Sequence, residues 1–159
     1  MATLVGKPAP KFKSAAIVKG AIKPDVSLDD YKGKWVVLFF YPAAMTTGCT
    51  KESCHFRDLK AEFEALGAQR VGISADTVDK QHQFADKHEF DFPLLSDPDR
   101  EVAEMFGVKR RVSLLKVKRS TFVIDTDRTL LAELHSEVSM SSHADKALDV
   151  LRARRATNA

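Results

Sequence analysis

The sequence has only two cysteines in 159 residues, one tryptophan, and no strongly apolar run longer than Trp35–Tyr41. A helix needs about 20 consecutive apolar residues to span a bilayer, so no membrane-crossing helix is expected. The seven glycines and six prolines form no repeat or low-complexity segment, which argues against collagen-like or linker-like chains. Nor is there a large excess of one charge. Against 22 acidic residues stand 25 basic ones, a net charge of +3 that does not by itself call for nucleic acid. The stretch Met1 to Pro8 lacks the charged head and apolar core of a secretory signal, so the cytoplasm is the expected location. In that reducing compartment two cysteines are not expected to form a stabilising staple. Their close spacing leaves catalysis, redox sensing and metal binding as competing uses.

What is present suits a single folded domain over residues 1–159, with 44% hydrophobic and 30% charged residues. A chain of this length can bury roughly two thirds of its unfolded surface without metals or disulfides. Trp35–Tyr41 is continuously apolar, β-branched or aromatic and stops at Pro42, the pattern of a central strand covered on both faces. Phe56, Leu59, Phe63 and Leu66 fall on one stripe of a helix ended by Gly67. A strand over Gln69–Ser74 follows, with Asp76 as the expected N-cap of a helix from Val78 to His88. A turn carrying Pro93 and Pro98 leads to a short helix, Asp99–Phe106, and then to a strand, Ser120–Asp125, paired with Thr129–Leu134. The last helix begins near Ser142, with Asp145 three residues on, and presents Ala144, Ala147, Leu148 and Leu151 on one face. The first 34 residues suggest a peripheral hairpin. This order predicts an α/β sandwich with a mixed sheet, whose chemistry belongs at loops leaving strand ends, such as Pro42–Gly48.

The most informative stretch runs from Tyr41 to Cys54, out of the buried strand and into a helix. Cys49 lies in the first helical turn, where unpaired backbone N–H groups and the positive helix end favour an anion such as a thiolate. Cys54 lies five residues on. In an intact helix the two Cα atoms would be about 8.7 Å apart and rotated by ~140°, beyond the ~7 Å that disulfides tolerate. A bond between them would therefore require the helix to unwind locally.

Pro42-x-x-x-Thr46-x-x-Cys49 resembles the active-site signature of the peroxiredoxins. Gly48-Cys49-Thr50-Lys51-Glu52-Ser53-Cys54 with Phe56-Arg57-Asp58 is similar to the branch called peroxiredoxin Q or bacterioferritin comigratory protein. Gly72–Asp76, Phe92–Asp97 and Arg119–Asp125 resemble further segments of that family in the same order, so the likeness covers about Gly6 to Leu151. It implies a thioredoxin-like three-layer sandwich with an N-terminal hairpin extension. It also implies reduction of hydrogen peroxide or organic hydroperoxides, without metal, haem or flavin.

The same resemblance assigns roles. Cys49 would be the peroxidatic cysteine, oxidised to a sulfenic acid, and Cys54 the resolving cysteine that forms an intramolecular disulfide with it. Pro42 would shield Cys49, the Thr46 hydroxyl would bond to the thiolate or peroxide, and Arg119 would stabilise negative charge on the reacting oxygens. Thioredoxin or glutaredoxin would be the reductant, and the chain a monomer or weak homodimer. The family usually has Pro where this chain has Thr47, and Ala43, Ala44 and Met45 replace more polar loop residues, making them candidates for lining the approach to Cys49. The turn Asp125–Arg128 lacks the family's usual glycine.

Plainer readings stand beside these. Cys49 or Cys54 could be a small buried hydrophobe, Thr46 a simple cap, and Arg119 a solvated residue at a strand start. Cys49, Cys54 and His55 have poor spacing for structural zinc, and His55 reads as a surface neighbour. Glu52 and Arg57 read as surface or supporting groups rather than a proton-transfer pair. The basic residues Lys109, Arg110, Arg111, Lys116 and Lys118 have few interleaved aromatics and read as a solvated loop. A thiol–disulfide oxidoreductase is an alternative function, although it would normally carry Cys-x-x-Cys. A redox-switched sensor or chaperone is another.

Overall fold

The computed structural model describes residues 4–110, 117–136 and 141–158. Among the described residues seven strands form one sheet: β1 (Ser14–Val18), β2 (Ala21–Val26), β3 (Trp35–Phe40), β4 (Ala68–Ser74), β5 (Leu94–Ser96), β6 (Ser120–Ile124) and β7 (Leu130–His135). Their spatial order is β2-β1-β5-β4-β3-β6-β7. The sheet is mixed, since β3 and β5 run parallel to β4 while the β1–β2, β1–β5, β3–β6 and β6–β7 pairs are antiparallel. The helices are α1 (Thr47–Asp58), α2 (Lys60–Ala65), α3 (Val78–His88), α4 (Glu101–Met105) and α5 (Ser142–Asn158).

Strand alternation divides β3 between two apolar clusters. Trp35, Val37 and Phe39 join Phe56 of α1, Phe63 of α2, Phe84 of α3 and the Ala144, Ala147, Leu148 and Leu151 stripe of α5. Val36, Leu38 and Phe40 face the other way, toward Phe12, Leu28, Phe106, and Val102 and Ala103 of α4. With both faces covered, the strand is apolar throughout rather than alternating, which is why it stands out in the sequence. At the sheet centre the side chains of Leu94 and Phe39 lie over Gly72 of β4, where a Cβ would stand 2.8 Å from Leu94 Cδ2 and 2.9 Å from Phe39 Cζ. Only glycine fits there without displacing them. No helix among the described residues is long and apolar enough to cross a membrane.

The expected hairpin at the N-terminal edge is β1–β2, and the helix over Val78–His88 is α3. Three expectations change. The stripe Phe56–Leu66 is two helices, broken at Leu59 (φ −93°, ψ 20°), and Arg70 from β4 donates to the Phe56 carbonyl at 2.8 Å at the end of the first. The proline-flanked segment holds a strand, β5, whose three residues pair with β4 on one side and β1 on the other. Thr77, not Asp76, caps α3: its hydroxyl accepts from the Lys80 N–H at 3.3 Å. Asp76 turns instead toward the loop before α1. The turn from Asp125 is closed with Arg128 at φ +72°, a conformation that favours glycine. Of the basic segment, Arg111 and Lys116 lie outside the described residues.

Candidate active site

The site lies where β3 ends and α1 begins. Tyr41 is fully buried and donates its hydroxyl to Gln81 Oε1 at 2.5 Å, while Gln81 Nε2 donates to the Leu95 carbonyl at 2.7 Å. Burial pushes the Tyr41 phenol well above its ordinary pKa, more than its hydrogen bonds lower it, so it stays a neutral donor. The Asp76 carboxylate accepts from the Ala44 N–H and the Ser74 hydroxyl, each at 2.7 Å. These bonds hold the loop Pro42–Thr46 at Tyr41, just before it, and at Ala44, in its middle. Within it Pro42 is buried, while Met45 takes φ +70° and is 39% exposed.

Thr46 occupies the N-cap position in extended conformation, φ −83° and ψ 157°. Its hydroxyl makes no capping bond and instead donates to the Ala43 carbonyl at 2.7 Å. Cys49 is the third helical residue and only 1% exposed. Arg119, immediately before β6, directs Nη2 to Cys49 Sγ at 3.4 Å and Nη1 to Glu52 Oε1 at 2.8 Å. Burial disfavours charge on Arg119, but Glu52 and Cys49 together outweigh it and leave the guanidinium more firmly protonated than usual. Arg119 is thus a buried residue of the site and not a solvated one.

Of the two readings of Glu52, surface or supporting group, only the surface one fails. Its side chain is wholly buried, and its partner is Arg119 rather than Arg57, which bonds to Asp58 and the His88 carbonyl. The spacing from Cys49, three residues on a helix, was the available signal: it puts both on one face. His143 of α5 also reaches this cluster, with Nδ1 3.6 Å from Glu52 Oε2, and no local pattern could have indicated it. His55 is partly exposed and pairs with Asp145 of α5 at 2.8 Å.

Both cysteines are free thiols. Cys54 is half-buried against the apolar cluster that contains Phe56 and Phe63. Burial pushes its pKa up, Arg57 pulls it down, and Asp58 adds to the rise, so the net direction is upward. The two therefore present different chemistry from one helix: Cys49 faces a guanidinium, and Cys54 sits among apolar side chains. Among the described residues no group of three or more His, Cys, Asp or Glu side chains is arranged to hold a metal ion.

The family model described as the AhpC/TSA family matches residues 5–132. The chain belongs to this family. Peroxiredoxin Bcp of Bacillus subtilis is 39% identical over 153 residues, covering 93% of this chain and 94% of the relative. The crystal structure of peroxidoxin BcpB from Mycobacterium tuberculosis superposes with a TM-score of 0.86 at 52% identity, over 96% of this chain and 98% of that one. A Xanthomonas campestris bacterioferritin comigratory protein, studied for alkyl peroxide reduction, gives 0.81 at 30% identity, over 90% and 91%. The fold is therefore the thioredoxin-like fold of the peroxiredoxins, the branch is peroxiredoxin Q, and the activity is that of a thiol-dependent peroxidase.

Proposed function

We propose that this peroxiredoxin works as a single domain in which Cys49 is the peroxidatic cysteine and Cys54 the resolving one. The observation that carries this is the 3.4 Å contact from Arg119 to the Cys49 sulfur, with the same guanidinium anchored on Glu52. The positive end of α1 and this cation both face the sulfur that attacks the peroxide. The Cys49 thiolate attacks one peroxide oxygen, the O–O bond breaks, and the leaving oxygen takes a proton to become water or an alcohol. Arg119 stabilises the negative charge that develops on the departing oxygen. Pro42 limits the access of water. The Thr46 hydroxyl spends its hydrogen on Ala43, so its remaining lone pairs suit it to accept the O–H of the incoming peroxide.

Cys49 sulfenic acid then condenses with the Cys54 thiol, releasing water and forming a disulfide. Because both cysteines lie in the continuous helix α1, this step unwinds the helix between them. A thioredoxin-type dithiol, or glutaredoxin, reduces the disulfide in a cytoplasmic setting, and the chain acts as a monomer or weak homodimer. The named activity of the Xanthomonas relative and the exposed apolar rim at Met45 support organic hydroperoxides beside hydrogen peroxide as substrates. The test is turnover with a thioredoxin system and mass spectrometry of the products. Cys49→Ser should abolish turnover, while Cys54→Ser should consume one equivalent of peroxide and stop at the sulfenic acid. Sustained turnover by Cys49→Ser would sink the assignment.

A further inference from the structure

His143 is a buried titratable residue with no place in the chemistry above. It sits in the first turn of α5, beside the Ala144, Ala147, Leu148 and Leu151 stripe that packs on the sheet, and is 1% exposed. Its Nε2 lies 2.8 Å from the Ser136 carbonyl oxygen, which can only accept, so Nε2 carries a hydrogen. Its Nδ1 lies 2.8 Å from Thr121 Oγ1 and 3.6 Å from Glu52 Oε2. A neutral ring accepts the Thr121 hydroxyl proton at Nδ1, and a charged ring donates from Nδ1 to the same oxygen. Either state keeps the ring on Thr121 and beside the carboxylate.

Three elements meet at this point. Cys49 and Glu52 come from one face of α1, Arg119 and Thr121 lie at and just inside the start of β6, and His143 comes from α5. Arg119 takes one oxygen of Glu52 and His143 faces the other, so the carboxylate stands between them. An Arg119 fork held at one prong by Glu52 can be aimed at Cys49 only as accurately as Glu52 is held.

We propose that His143 is a positioning residue for peroxide reduction, acting through its Nδ1 edge on Thr121 and Glu52 to aim Arg119 at the Cys49 sulfur. This rests on the assignment of Cys49 as the peroxidatic residue. The Nε2 edge, by contrast, only ties α5 to the end of β7 through Ser136. The two edges can be separated by substitution. Asparagine places a polar atom where Nδ1 stands, whereas glutamine places one near Nε2 and leaves the Nδ1 place empty.

The experiment uses the full chain carrying Cys54→Ser, so that oxidation of Cys49 is followed alone. Hydrogen peroxide is mixed in stopped-flow or quenched-flow mode, and the Cys49 sulfenic acid is quantified by mass spectrometry after trapping. His143→Gln should lower the second-order rate constant by about tenfold or more, since small errors in aiming a catalytic group are costly. His143→Asn should stay within about threefold of the parent. Each variant leaves one buried hydrogen bond of His143 unmade, so both should melt a few degrees lower by similar amounts and still unfold cooperatively, which checks folding. A Gln variant at the parental rate would overturn the proposal, and so would an Asn variant that loses as much as Gln. Cys49→Ser is measured alongside: if it still turns over peroxide, the assignment of Cys49 fails instead, which separates the two failures.

Discussion

Arg119 makes two contacts of different kind from one planar group, an ion pair with Glu52 and a hydrogen bond to a sulfur. A lysine would keep the charge but not the fork, so it could not satisfy both at once. We expect Arg119→Lys to slow Cys49 oxidation by about 10²-fold, the cost of losing one well-aimed donor to a developing oxyanion. Single-turnover peroxide kinetics with the melting temperature as control would check this. The other cysteine gives a pH prediction. Burial raises the Cys54 pKa, so in the folded, reduced protein its thiolate appears at higher pH than that of a free cysteine. In Cys49→Ser, the pH profile of Cys54 alkylation by iodoacetamide should therefore have its midpoint above the ordinary thiol range, and denaturation should return it to that range. A profile like that of free cysteine in the folded protein would contradict this.

At the scale of elements, the proposed Cys49–Cys54 disulfide requires α1 to be both firm and able to open. Its buried face, Cys49, Glu52, Ser53 and Phe56, is fixed by the site and the core, and Arg57 and Arg70 hold its C-terminal end through the His88 and Phe56 carbonyls. On the outer side His55, next to Cys54, is tied to Asp145 of α5. That pair is partly solvent-exposed, where ion pairs contribute about 0.2–1 kcal/mol, so Asp145→Asn should speed disulfide formation only a few-fold. Rapid-quench thiol counting after one equivalent of peroxide would measure it. Hydrogen exchange over residues 47–58 should rise on oxidation of the parent and stay low in Cys54→Ser, because only the disulfide forces the helix open. Unchanged exchange in the oxidised parent would mean that the two cysteines do not bond to each other.

At the scale of the whole molecule, the site depends on a helix far along the chain. α5 buries Leu151 completely in the cluster that also contains Cys49, Phe39 and Phe56. Leu151→Ala should destabilise the protein by about 2–5 kcal/mol, as large-to-small changes in packed cores do. Urea unfolding followed by circular dichroism would show it as a lower midpoint with little change in slope.

Local pattern alone determined the central strand, the α3 boundaries and the place of Cys49 at a helix start. These depend on apolar runs and periodicity that are written within a few residues. The motif Pro42, Thr46, Cys49 was legible for the same reason. Tertiary structure decided the rest. The strand Leu94–Ser96 exists because β4 and β1 flank it, the helix breaks at Leu59 where Arg70 takes the Phe56 carbonyl, and Asp76 serves the loop before α1 instead of capping α3. Glu52 and His143 became part of the site because α1, β6 and α5 converge there, from positions up to 91 residues apart in the chain by their numbers. No window on the sequence spans that distance, whereas a buried carboxylate, a guanidinium and an imidazole must each find partners wherever the fold brings them.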